Sequence, residues 1–443
     1  MMRLSRPAIL LLVGLLAACQ PAPTSPTAPP PKPTEAPKPA PPTAPAAASP
    51  APSPAPAASP AASPTAAAAP AAKPSGPPLQ IGGVTPMSGP QQSFGEGSRM
   101  GAGLAAKEIN ARGGILGRPV EMIFRDDEAN PTKAVQAFED LATNQKVRAI
   151  IGPINTPNAL AVADVATREK LINLQITTGT ATVDPQKKPT IFRPQYYAAQ
   201  EAQVMLDYAL GVLGWKCPAI LADSTGYGQG GVAELKAALA KRNVQPCGDD
   251  QKYNPGDADM TGQLGRIQAA QADGILAWGL GNDLAQVAKG LSKLGMNLKM
   301  VGASGITTVG FRSLAGPDGK DHLGVYSRRF SFSDRQPADP KARDFIGKLD
   351  AEFGANWSAQ TVVSAPWYEA LYLYAEAVRR AGSDDSAKVQ AALESLQDYP
   401  ANGIYTTYTF GPNERNGFQA RDLAIVFAAD EQHGLYRRPN NAP

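Results

Sequence analysis

The sequence predicts an α/β protein built as two doubly wound lobes. Short apolar runs alternate with helix-forming stretches from Leu79 onward, and the alternation occurs over 79–164 and again over 219–294. The 365 residues that follow Pro78 are also too many for one typical core. A strand-helix-strand order demands a parallel sheet, and such sheets take ligands beyond the carboxyl ends of their strands.

In chain order, residues 1–19 read as an export signal. Arg3 and Arg6 supply its positive start, and the apolar run 8–16 is far shorter than the ~20 residues of a membrane span. Leu16-Ala17-Ala18-Cys19 resembles the lipobox of bacterial lipoproteins, in which the Cys is acylated and becomes the new N-terminus. The alternative is an ordinary secretory signal. An acylated Cys19 would attach the chain to a membrane surface, at ~0.8 kcal/mol per buried CH₂. Residues 20–78 are almost wholly Pro, Ala, Ser and Thr, with no apolar periodicity, and read as a solvated linker.

The folded part opens with a strand over 79–84, a turn-rich loop 85–90 and a helix over 95–110 stopped by Gly113-Gly114. A strand over 120–124 follows, then a helix marked by Ala134, Phe138 and Leu141, then a strand over 147–151. Gly152-Pro153 turns the chain, and Asn155-Thr156-Pro157-Asn158 opens an Ala-rich helix. A hydroxyl beside the free N–H groups of a helix start is a site for a carboxylate. The alternative is that Thr156 only caps its own helix.

The second round has strands over 219–222, from 244 and over 274–278. Its helices run over 230–240 and 261–270, and a further one is marked by Leu284, Val287, Leu291 and Leu294. A long helix then carries the stripe Val363, Trp367, Leu371, Tyr374 and Val378, read as core. Strands over 405–410 and 423–427 close the chain.

The whole chain has 42 Lys and Arg against 39 Asp and Glu, but residues 1–78 hold five of the bases and one of the acids. The folded part therefore has 37 against 38, which gives no reason to expect a nucleic-acid partner. Cys217 and Cys247 lie at strand edges flanking one helix; in an oxidising compartment we expect a disulfide, with two free thiols as the alternative. Only His322 and His433 are present, and there is no Gly-x-Ser-x-Gly elbow. The expectation is no catalytic residue, metal or cofactor.

Several local motifs now combine: Pro86-Met87-Ser88-Gly89-Pro90 with Phe94-Gly95, Glu108-Ile109-Asn110 through Gly113-Gly114-Ile115-Leu116-Gly117, and Asp126-Asp127 with Pro131. Ile151-Gly152-Pro153, Phe192-Arg193, Tyr227-Gly228 and Ala381-Gly382-Ser383-Asp384 extend the series. In this order they make the chain similar to the type I periplasmic binding proteins of the branched-chain amino acid importer class. That resemblance implies a Venus-flytrap fold joined by a three-segment hinge, with crossings near Tyr197, near Arg329 and within 411–421. Lobe 1 would be 79–197 plus 330–415, lobe 2 would be 198–329 plus 416–437, and 438–443 a tail.

The resemblance also implies site residues. Thr156 matches the hydroxyl that receives a ligand carboxylate. The loop 177–182 matches the segment that meets the ligand ammonium; Thr178 belongs to it, and the family Thr falls on Ala181, between Thr180 and Thr182. Phe94 matches an aromatic of the side-chain pocket, Tyr196 and Tyr197 stand at the first hinge crossing, and Tyr227 faces the cleft. The family's ammonium-binding acid falls near Ser304, where no acid stands. Either another acid, such as Asp283, takes its role, or the ligand is an ammonium-free organic or aromatic acid or an amide. Asp283 also reads as a charge at a helix start.

The function implied is that of a monomeric, lipid-anchored binding protein of the cell envelope, delivering an amino acid or related small carboxylate or amide to an ABC importer permease. A sensor or protein-interaction module on the same fold is the alternative.

Overall fold

A computed structural model describes residues 73–354, 357 and 361–442; the expected signal, Cys19 and nearly all of the linker lie outside the described residues. The first sheet is built from β1 (Leu79–Thr85), β2 (Val120–Asp126), β3 (Ala149–Ile151), β4 (Ile172–Leu174) and β5 (Ile191–Phe192). Between them run α1 (Gln92–Ala111), α2 (Pro131–Glu139) and α3 (Thr156–Arg168). The strand order is β2-β1-β3-β4-β5, every pairing parallel. Strands covered on both faces are buried along their whole length, as β3 and β4 are; the one polar side chain among them, Asn173 of β4, donates to the Ile150 and Gly152 carbonyls at 3.0 and 2.6 Å.

After α4 (Ala198–Gly211) the plan repeats: β6 (Ala219–Asp223), α5 (Gly226–Ala240), β7 (Gln251–Tyr253), α6 (Thr261–Ala269), β8 (Ile275–Trp278), α7 (Gly281–Lys293), β9 (Met300–Gly302), α8 (Val309–Ala315) and β10 (Leu323–Ser327). The chain then makes β11 (Ser331–Phe332), α9 (Pro340–Phe353), α10 (Thr361–Ala381) and α11 (Ser386–Glu394), and ends in β12 (Leu423–Phe427), β13 (Glu431–Gln432) and β14 (Leu435–Arg437). The second sheet has the order β12-β10-β9-β8-β6-β7, parallel except for β12 against β10. A small sheet, β11-β14-β13, completes the fold.

Apart from β12, both large sheets share one topology: the first strand lies between the second and the third. The order therefore reverses between β1 and β3, and again between β6 and β8, and such switch points are where open α/β sheets bind ligands. The two sheets of the expected α/β fold are thus present, each with its own switch point.

The stripe of α10, from Val363 through Trp367, Leu371 and Tyr374 to Val378, is buried, with Trp367 6.0 Å from the Phe124 ring of β2, and α10 also packs on α1. The two helices pack closely because α1 offers Gly101: a Cβ there would stand 2.0 Å from the Ser364 carbonyl oxygen. Tyr368 and Tyr372 both donate to Glu108 Oε2 at 2.7 Å, tying the crossing with charge-assisted bonds.

Some local expectations fail. The strand expected from residue 244 forms only at Gln251–Tyr253, because Pro246, Cys247 and Gly248 interrupt the run and Cys247 is disulfide-bonded to Cys217. Residues 405–410 form no strand. Their amides go to separate segments, Tyr408 N to Tyr399 O, Thr409 N to Gly417 O and Phe410 N to Leu396 O, while their rings pack on Phe192, Tyr196 and Phe418. The segment expected as a tail is attached: Arg438 is buried and its amide donates to Phe332 O at 2.6 Å.

Candidate ligand-binding cleft

The carboxyl ends of both sheets' strands line one cavity of about 280 Å³, near the lower bound for small-molecule sites. Phe94, Thr156 and Thr178 come from segments following β1, β3 and β4; Asp223, Tyr227, Asp283 and Ser304 come from the ends of β6, β8 and β9 and the turns or helices after them. Tyr196 lies on the connection from β5 to α4, and Val362 and Val363 of α10 form another part of the wall.

Thr156 does not cap its own helix. Asn155 takes the cap position with extended backbone, and its Nδ2 donates to Gln91 Oε1 at 2.7 Å, while its buried Oδ1 has no partner. Thr156 instead lies 3.1 Å from the Thr177 hydroxyl, at a helix start facing the cavity. Its place depends on Gly179: a Cβ there would fall 2.3 Å from Thr156 Cγ2.

Three expected residues are not brought to the cleft wall. Thr182 is buried and donates to Gly179 O, closing its own turn. The Thr180 hydroxyl is buried without a partner, and its carbonyl accepts from Arg193 Nη2 at 3.3 Å. Tyr197 caps α4 and lies under the Arg193 guanidinium at 5.3 Å. Arg193 also donates to Thr178 O, and burial lowers its pKa to about 9. This arginine fastens the 178–180 loop from behind, so the loop's carbonyls are already engaged.

Electrostatically the wall is one-sided: Asp223 and Asp283 line it, and among the described residues no Lys, Arg or His does. Asp223 Oδ1 accepts from the Thr225 amide at 2.8 Å, the Thr225 hydroxyl and the Gly228 amide at 3.3 Å. Asp283 Oδ1 accepts from the Gly256 amide at 2.9 Å. Burial raises the pKa of both, and the charge of Asp223 raises that of Asp283 further.

A model of the periplasmic binding protein family matches residues 78–431. The chain belongs to that family. It is 27% identical to Leu/Ile/Val-binding protein homolog 3 of Brucella melitensis over 316 residues, covering 71% of this chain and 83% of the relative. It is 26% identical to an amino acid binding protein of Pseudomonas aeruginosa over 324 residues, 73% of this chain and 83% of that one. A crystal structure of a type 1 periplasmic binding protein from Bordetella pertussis superposes with a TM-score of 0.72 at 29% identity, covering 79% of this chain and 96% of that chain.

As a periplasmic binding protein the chain is a solute-binding protein with an extracytoplasmic location. No helix among the described residues is long and apolar enough to cross a membrane. Two acids of this periplasmic binding protein escaped the sequence reading. Asp223 closes the apolar strand β6 just before Ser224-Thr225, a position that marks a switch-point acid once the strand is recognised. Glu201 lies on the buried face of α4 with Ala198, Ala202 and Met205, the i, i+3, i+4, i+7 stripe on which a charge is anomalous. It is fully buried, which raises its pKa to about 7, and its Oε2 has no partner.

Proposed function

We propose that this chain is the lipid-anchored binding component of an ABC importer and carries an amino acid in the cleft. Its two lobes, 79–197 with 330–415 and 198–329 with 416–437, close on the ligand about the crossings near Tyr197, Arg329 and 411–421. The observation that carries the reading is the polarity of the cavity: a helix start with the Thr156 hydroxyl on one sheet faces the carboxylates of Asp223 and Asp283 on the other. That arrangement suits a zwitterion, with its carboxylate at α3 and its ammonium turned toward the acids. An ammonium-free organic acid would meet two carboxylates and no cation in the wall, which disfavours it. The names of the relatives, Leu/Ile/Val-binding and amino acid binding, support the same ligand class.

Thermal unfolding of protein stripped of co-purified ligand tests this against amino acids, aromatic carboxylates and short amides. A ligand at ~100 times its dissociation constant stabilises by about 2.7 kcal/mol. A response to amino acids is expected, and a response confined to ammonium-free acids would overturn the reading. Loss of amino acid uptake on deletion tests the importer role, and incorporation of labelled fatty acid, abolished by Cys19→Ala, tests the anchor.

A further inference from the structure

The charges on the two halves of the cleft do not balance for a simple zwitterion. One α-ammonium offsets one carboxylate, yet both Asp223 and Asp283 line the cavity, and neither has a salt-bridge partner among the described residues. Each spends Oδ1 on backbone or hydroxyl donors, while no donor is assigned to either Oδ2. A third polar group stands with them: the hydroxyl of Tyr253, at the end of β7, is buried and without a partner, and the side chain is only 2% exposed. A Cβ placed on Gly279 would overlap this oxygen and lie 3.7 Å from Asp223 Oδ2, so the two oxygens flank the same point. A buried hydroxyl without a partner calls for an explanation, and this one, though behind the cavity wall, adjoins Asp223. The charge of Asp223 in turn reaches Asp283 and raises its proton affinity.

We infer that the cleft selects amino acids bearing a second positive charge, an amine or guanidinium at the end remote from the carboxylate, so that this group and the α-ammonium together offset Asp223 and Asp283 beside the Tyr253 hydroxyl. The inference rests on the amino acid reading above and narrows it. The apolar wall of Phe94, Ile154, Ile176 and Val363 then covers the methylene chain between the two charged ends. A neutral side chain would leave one of the two carboxylates buried against apolar atoms without a counter-charge, which selects against it.

Calorimetric titration of the full protein with lysine and arginine, each paired with its uncharged analogue norleucine or citrulline, tests this. The expected result is that the charged member of at least one pair binds tenfold or more tightly than its analogue. Asp283→Asn, which keeps the Oδ1 acceptor for Gly256, is expected to remove that preference, weakening lysine or arginine binding at least tenfold more than that of the uncharged analogue. Asp223→Asn, with its cap acceptor retained, provides a second variant should the first fail to fold. Norleucine and citrulline binding as tightly as their charged partners would overturn the inference and leave the amino acid reading standing. Absence of binding by every amino acid would overturn both.

Discussion

Glu201 Oε1 accepts the backbone N–H of Ser304 at 2.7 Å, joining residues 103 apart in the chain. Ser304 is the position at which the resemblance leads one to expect an acid, and here a carboxylate reaches that position from α4 instead. Thr178, Tyr196 and Ser304, which all line the cleft, surround the Glu201 carboxylate, so the acid lies directly behind the cleft wall.

The first prediction follows from that burial. The folded pKa of Glu201, about 7, lies above its ordinary value of 4.5. The stability linked to its proton is therefore fully present below about pH 4.5 and is lost as pH rises through 7. The shift corresponds to roughly 3 kcal/mol. Glu201→Gln keeps an acceptor for Ser304 and removes the titration. Denaturant unfolding should show the variant gaining on the native protein between pH 5 and pH 8, and parallel curves would refute the assignment.

A second buried acid gives a structural prediction. Glu369 on α10 accepts from the Ile404 amide at 3.1 Å and the Asn402 amide at 3.4 Å, and burial raises its pKa to about 8. Glu369→Ala would orphan both amides and should cost about 1–3 kcal/mol in urea unfolding, with Glu369→Gln, which keeps an acceptor for only one of the two, recovering part of it. Equal losses in the two variants would show that the acceptor is not what holds the 402–404 loop.

Gly179→Ala addresses the helix-start site. The added methyl group cannot coexist with the present Thr156 rotamer, so Thr156 must turn away from its position. An amino acid ligand identified by the thermal screen should bind at least tenfold more weakly, while the free protein loses about 1–3 kcal/mol of stability to the overpacked contact and stays folded. Unaltered affinity would remove Thr156 from the carboxylate site.

The Cys217–Cys247 bond closes a segment with a sequence separation of 30. Chain-entropy arguments put its contribution at about 3–4 kcal/mol. The double Cys→Ser variant should lose stability of that order in urea while retaining ligand affinity, because the bond lies at the amino ends of β6 and β7, opposite the cleft. Affinity lost in step with stability would contradict this placement.

Part of the candidate cleft's lining was legible before any tertiary contact was known. Thr156 stands out because a strand, a turn and a Pro-started helix follow one another directly, and the 217/247 pairing follows from two strand edges around one helix. The aromatic run 405–410 misled because ring burial and strand hydrogen bonding leave the same apolar signature. Thr180, Thr182 and Tyr197 could not be separated from Thr178 and Tyr196 by sequence, since one residue's rotation of the backbone decides which side chain meets the cleft and which fastens the loop.

The sequence by itself determined the two rounds of alternating strands and helices, the core stripe of α10 and the helix start at Thr156, because those depend on periodicity and nearest neighbours along the chain. Only the tertiary structure decided where the acids act. Glu201 meets Ser304, and Asp223 stands with Asp283 beside Tyr253, because parallel sheets bring the ends of distant strands together at their switch points. Charge balance in a cavity depends on that convergence, which no local pattern encodes.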